Sequence, residues 1–260
     1  MSEEHLPNAC LVFGLPICHH SPSDVAQEII LNVRQGRSGY VCAANVHMVV
    51  TARANNQLKK VLNDASMVTP DGLPLVWVSK LMGFKNAQRV AGLDLTLKIC
   101  EMSEAEGISV SFYGGSKKSI DGLRSFVGAR FPHLKVVGYE SPAMLPERPE
   151  VNPEVVDRIK ASGAKIVFVG LGCPKQEFWM AAYSPHLPAI LIGVGAAFDF
   201  LAGTISRAPS WMQKAGLEWL YLLLQEPVRL WKRYLVTNTL FTLMVLKEIL
   251  KGRNQRSERP

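Results

Sequence analysis

The sequence predicts an α/β fold, a Rossmann-like and mostly parallel sheet with helices on both faces, followed by a helical C-terminal appendage. Three observations carry this expectation. Short β-branched or aromatic runs alternate with helical segments as far as Gly195, the pattern of a parallel sheet with helical crossovers. One run, residues 166–169 (Ile-Val-Phe-Val), has no polar interruption, which suits a strand covered on both faces. After Gly195 the strands stop, and two helical stretches follow with apolar stripes broken by basic residues. The chain of 260 residues therefore divides into an α/β domain over 1–207 and a basic amphipathic appendage over 208–260.

Taken in order, residues 9–13 form a first apolar strand ending at Gly14. A helix over 23–35 is opened by Ser-Pro-Ser-Asp and closed by Gly36. Residues 40–44 make the second strand, stopped by Asn45, with a helix over 46–54. Strand 66–69 runs into Pro70-Asp71-Gly72 and a helix over 73–81. A helix over 92–106 ends at Gly107, strand 108–113 is closed by Gly114-Gly115, and a helix spans 116–131. Strand 135–137, a proline-rich loop over 141–153 and a helix over 155–162 lead to the apolar run at 166–169. Gly170 and Gly172 then permit a tight turn, and Pro174 suits the first turn of a helix. The free N–H groups of that turn and the positive end of its dipole form an anion site, in which Lys175 and Gln176 stand. A last strand at 189–192 precedes Gly193-Val-Gly195, and helices are expected over 208–225 and 227–250. There is no internal repeat.

Composition narrows the class. With 48% hydrophobic and 20% charged residues the chain is an ordinary globular protein, far from disorder. Its five cysteines are scattered and odd in number, the pattern of free thiols in a reducing compartment, so a cytoplasmic location is expected. The acidic start, Met-Ser-Glu-Glu-His, is followed by no long apolar segment, so neither a secretory signal nor an N-terminal anchor is expected. Residues 208–260 hold nine Lys/Arg against four Glu, which concentrates most of the net charge of +7 there. No stretch reaches the ~20 uncharged apolar residues of a membrane span. Residues 234–246 come closest but contain Thr237, Asn238, Thr239 and Thr242. Arg229, Lys232 and Arg233 fall at i, i+3 and i+4, a spacing that would set them together on a face toward an anionic leaflet. The Leu, Trp and Tyr residues between the charges favour a lipid interface over nucleic acid.

Ligands of such sheets bind at the carboxyl ends of the strands. Four ends carry unusual residues: Asn45, Asp71, the turn at 114–117 and the loop at 172–176. Asp71, at a strand end beside Gly72, is placed to take a proton from an attacking hydroxyl, with capping of the next helix as the competing role. Arg89 offers a planar guanidinium to a phosphate or diphosphate, with a surface ion pair as the alternative. The chain has no Asp-x-Asp pair, and His19, His20 and His133 share no ligand spacing with the cysteines, so no metal and no cofactor are expected. Cys173 stands in the glycine loop, where a thiol could be activated, but is expected to be a small neutral residue. Gly193-Val-Gly195 followed by Asp199 lacks the third glycine and the acidic spacing of a dinucleotide loop, which disfavours a dehydrogenase.

Several stretches, in order, resemble one family, the bacterial WecG/TagA/CpsF glycosyltransferases. They are Asn45, Pro70-Asp71-Gly72, Arg89-Val-Ala-Gly-Leu-Asp94, residues 172–177, Gly193-Val-Gly195 with Asp199-Phe-Leu-Ala-Gly203, Arg207-Ala-Pro209, and residues 216–221 leading to Glu226-Pro227. The resemblance implies an inverting, metal-independent transfer of N-acetylmannosamine or another hexose or N-acetylhexosamine. The donor would be a UDP-sugar and the acceptor a polyprenyl-diphosphate-linked sugar, in synthesis of a surface polysaccharide or wall polymer. It implies that 1–207 binds the nucleotide sugar and that 208–260 binds the inner face of the bacterial cytoplasmic membrane as a peripheral element. Asp71 would be the base, Arg89 would contact the diphosphate or acceptor, and Gln176 would bind the donor. Asn45, Asp94, Lys175, Gly193 and Asp199 would complete the substrate site, with Arg207, Arg229, Lys232 and Arg233 at the membrane and lipid diphosphate. Two positions depart from the family pattern: Ala43 replaces a frequent Thr, and Leu222 replaces a frequent Arg. A homo-oligomer is compatible with this reading. The rival from another class is a non-catalytic nucleotide-binding scaffold or regulator at the membrane.

Overall fold

The computed structural model describes residues 9–257, with side chains to residue 250. Among the described residues, eight strands form one sheet: β1 (Ala9–Val12), β2 (Leu15–Cys18), β3 (Gly39–Ala44), β4 (Met67–Pro70), β5 (Val110–Gly114), β6 (Val136–Glu140), β7 (Ile166–Gly170) and β8 (Ile190–Gly193). Their order is β1-β2-β4-β3-β8-β7-β5-β6, and all pairs are parallel except the β1–β2 hairpin. The mostly parallel α/β architecture is the expected one.

Helices cover both faces because the strand residues alternate. In β7, Val167 and Val169 pack into one core, while Ile166 and Phe168 pack into the other. The first core is closed by α2 (Val46–Ala54), α3 (Asn56–Asn63), α4 (Leu73–Leu81), α7 (Pro153–Ser162) and α8 (Lys175–Tyr183). The second is closed by α1 (Pro22–Arg34), α5 (Gly92–Glu106), α6 (Lys117–Arg130) and α9 (Ala197–Leu201). Local chemistry sets the helix starts. Ser21 and Asp24 form a reciprocal capping box at α1, and the Asn45 and Ser116 side chains accept from backbone N–H groups of α2 and α6.

Four elements differ from expectation. β2 lies where the sequence suggests only a break, because the hairpin turn is Phe13-Gly14 with φ of 53° and 81°, and Phe is not a residue that announces such a turn. The ring of Phe13 sits edge-on against Phe241 at 5.6 Å, which anchors it in that conformation. α3 follows α2 without a spacer, since Asn55 ends one helix and caps the next through its side chain. The stretch 208–225 is two helices, α10 (Ser210–Lys214) and α11 (Glu218–Gln225), separated by Gly216 in a left-handed conformation (φ 72°). The last helix, α12 (Pro227–Ser257), is longer than expected and lies against α2, with Leu230, Thr237, Phe241 and Met244 buried. No helix among the described residues is long and apolar enough to cross a membrane.

Candidate active site

β3 and β8 are neighbours, yet the chain leaves β3 for α2 on one face and β8 for α9 on the other. This is a topological switch, and the diverging connections leave a crevice above the strand ends. The crevice is a cavity of about 400 Å³. Its floor comes from the ends of β3, β4, β7 and β8 and includes Ala43, Asn45, Asp71, Gly170, Gln176 and Asp199. Its roof comes from α11 and α12 and includes Glu218, Leu222, Glu226, Arg229, Arg233 and Tyr234. A second cavity of about 450 Å³ adjoins it and shares Asn45, Asp71, Arg89, Glu218, Leu222, Arg233 and Tyr234.

Asp71 occupies the seam between the two. It does not cap α4, whose N-cap is Gly72 with no side-chain bond. Instead Oδ1 accepts from the backbone N–H of Gly92 at 3.1 Å, at the first turn of α5, a helix whose own N-cap, Ala91, has no side-chain oxygen to offer. The carboxyl finds no other donor side chain among the described residues. Burial pushes its pKa up to about 6; the Arg89 charge and the Gly92 hydrogen bond oppose this, and the Glu218 and Asp94 charges add to it. A carboxylate so poised is a competent general base near neutral pH.

The cations around it are mostly already matched. Arg89 donates through Nε to the Asp71 carbonyl at 2.6 Å and pairs with Glu218 at 2.6 Å, which ties α11 to the body. Arg207 meets Asp94 in a bidentate pair with both distances 2.7 Å. Arg229 pairs with Glu226 one helical turn away. Arg233 makes no ion pair among the described residues, and its Nε is buried without a hydrogen-bond partner. His47, nearby, is pushed down to about 4 by burial and the Arg233 charge, so it adds no positive charge at neutral pH.

On the opposite wall, Gln176 is held from both ends. Its Oε1 accepts from Gly195 N–H at 2.9 Å and its Nε2 donates to Glu177 at 2.9 Å. Gly193 makes room for this amide, since a Cβ there would stand 2.5 Å from Nε2. Glu177 is fully buried, burial raises its pKa, and its Oε2 has no partner. Cys173 lines the cavity, but burial and the neighbouring Glu177 push its thiol well above the usual range, so it is no nucleophile. Asp199 accepts from Ser119 and from Thr204, which fixes it at the cavity edge.

Of the residues singled out in the sequence, Asn45, Asp71, Arg89, Gln176, Asp199, Arg207, Arg229 and Arg233 line the first cavity. Lys175, Asp94, Gly193 and Lys232 do not. Asp94 and Gly193 act one step back, on Arg207 and Gln176. Lys232 lies exposed over the Trp231 ring, while Arg229 and Arg233 line the cavity, with Arg229 also exposed. Sequence reasoning missed Glu218 and Glu226. Both lie in the matched stretch from 216 to 227, which assigns neither a role, and only the turn at Gly216 brings Glu218 back to Arg89. Among the described residues no group of three His, Cys, Asp or Glu side chains is arranged to hold a metal ion.

Residues 10–255 match the family described as the Glycosyl transferase WecG/TagA/CpsF family. The chain is 36% identical over 202 residues to an N-acetylglucosaminyldiphosphoundecaprenol N-acetyl-beta-D-mannosaminyltransferase of Bacillus spizizenii, covering 77% of this chain and 76% of the relative. It is 32% identical over 209 residues to a protein of the same name from Bacillus subtilis, covering 80% and 79%.

Proposed function

The chain belongs to the WecG/TagA/CpsF family of glycosyltransferases, and from that premise we propose that it transfers a sugar from a UDP-sugar to a polyprenyl-diphosphate-linked sugar, by a single inverting displacement. The observation that carries this reading is Asp71, a carboxyl at the seam of two cavities beside Arg89, with its pKa pushed up to about 6 by burial. Asp71 takes the proton of the acceptor hydroxyl as its oxygen attacks the anomeric carbon, and the bond from that carbon to the β-phosphate oxygen breaks. The charge left on UDP falls to Arg89, Arg207 and Arg229 and to backbone N–H groups, a set able to act without a metal. Asn45, whose side-chain oxygen is committed to Met48 N–H, keeps its amide N–H₂ for the substrate. A scaffold that merely binds nucleotide has no use for a base whose pKa is shifted into the working range.

The activity named for the two Bacillus relatives makes N-acetylmannosamine the first donor sugar to test and GlcNAc-diphospholipid the first acceptor. Ala43 on the cavity wall, in place of a hydroxyl, bears on that choice of sugar. The reaction takes place at the cytoplasmic face of the membrane, where α12 rests as a peripheral element; its exposed Trp231, Leu235, Leu243 and Leu246 support that reading. The deciding experiment offers a panel of UDP-sugars with a GlcNAc-diphospholipid acceptor, with and without EDTA. Transfer from one donor, undiminished by chelator, is expected. Binding of UDP with no transfer from any donor would favour the scaffold, and loss with EDTA restored by Mg²⁺ would overturn the metal-free scheme.

A further inference from the structure

The second cavity is an apolar groove that begins at the base and leads away from it. Its walls are Leu73 and Trp77 of α4, Trp219 and Leu222 of α11, and Phe241 and Val245 of α12. It is shaped before any ligand arrives: the left-handed turn at Gly216 lies so close to the Trp77 ring that a Cβ there would stand 2.7 Å from it. Along α12 the lining residues Arg233, Tyr234, Asn238, Phe241 and Val245 fall on one face, a run of about 18 Å at 1.5 Å per residue. The run starts at the one cavity arginine without a carboxylate partner among the described residues and ends beside exposed Leu246.

We propose that this groove takes the first isoprene units of the acceptor lipid, with the acceptor diphosphate at Arg233 and its terminal sugar at Asp71. The inference rests on the glycosyl-transfer reading above and adds a lipid subsite to it. Charge and order select the occupant. The ligand must present, in sequence, a hydroxyl to Asp71, an anion to the unmatched guanidinium, and a slender apolar chain to the groove. An apolar helix of another protein or of a second copy would fill the same walls but leave the half-buried Arg233 guanidinium, whose Nε already lacks a hydrogen-bond partner, unmatched. Leu222, at the seam of both cavities, suits the boundary where diphosphate gives way to hydrocarbon.

The test uses the full chain in solution, without membranes or detergent, and two acceptors: GlcNAc-diphosphate esterified to farnesol and GlcNAc-diphosphate esterified to methanol. The farnesyl acceptor should be used with a kcat/KM at least about tenfold higher, since each buried methylene favours binding. Trp77→Ala on one wall, at an exposed position that leaves the core untouched, and Val245→Gln on the other should each lower the farnesyl-to-methyl ratio by roughly tenfold. A parent ratio near one, or a ratio that neither variant moves, overturns the lipid subsite while leaving glycosyl transfer standing. Variants that change the sedimenting species or vesicle binding at an unchanged ratio would assign the groove to a second copy or to the bilayer, and also overturn it. Absence of transfer to both acceptors from every UDP-sugar would instead bring down the proposed reaction, and the subsite with it.

Discussion

At the scale of single residues, the proposed role of Asp71 joins two duties usually kept apart: one oxygen closes the N-terminus of α5, and the other, with no donor side chain among the described residues, would serve the substrate. Asp71→Asn keeps the cap and removes the basicity. Turnover should therefore fall by roughly 10²–10⁴-fold while UDP affinity, read by calorimetry, changes little. In the parent, kcat/KM should rise with pH through about 6 as the carboxyl ionises, and the variant should lack that limb. Near-normal turnover of Asp71→Asn would remove Asp71 from the chemistry. Glu177 carries a stability prediction. Its folded pKa lies above the unfolded value, so the folded state holds the proton more firmly, and stability from this group is lost as pH rises through the folded value. Glu177→Gln has no proton to lose, so its Tm should gain on the parent's as pH is raised; parallel Tm curves would show that Glu177 does not titrate in the folded protein.

Among the elements, the sheet was legible because strand runs are apolar and their ends carry glycine, Asn or Asp. The hairpin of β1 and β2 was not, because Phe13 takes a left-handed conformation by tertiary contact with Phe241 rather than by its own preference. The same limit applies to the site: Asn45, Asp71 and Gln176 stand at strand ends or helix starts and can be read locally. Glu218 enters only through the turn at Gly216, and the place of Arg229 and Arg233 on the cavity wall follows from how α12 seats on α2. The end of β8 makes a test of its own. Gly193→Ala pushes on Gln176 Nε2, and dislodging that buried amide costs about 1–3 kcal/mol. UDP affinity should drop roughly tenfold or more with the fold retained by circular dichroism, and unchanged affinity would mean that Gln176 plays no part in the donor site. For α12, membrane contact should depend on its exposed apolar residues. Trp231→Ser with Leu235→Ser should lower partitioning to anionic vesicles by roughly 10²-fold or more, by sedimentation. Equal partitioning would take the helix off the membrane.

For the molecule as a whole, most of the cavity's guanidiniums are matched by carboxylates, and one such pair joins the body to the roof. Arg89 of the α/β body holds Glu218 of α11, Arg207 holds Asp94, and Arg229 holds Glu226, so three guanidiniums of the cavity already face carboxylates. On the proposed donor reading, a diphosphate arriving at these three arginines would have to displace a carboxylate and take its place. Such ion exchange replaces one close pair of opposite charges by another, and salt screens the pair that breaks as much as the pair that forms. Affinity for UDP should accordingly be insensitive to ionic strength, changing less than about threefold as the Debye length shortens from ~30 Å at about 0.01 M to ~8 Å at about 0.15 M. A steep loss over that range would mean that the carboxylates stand aside before the nucleotide binds. On that scheme the site would hold UDP at high as at low salt and release it by handing the arginine back to its own carboxylate.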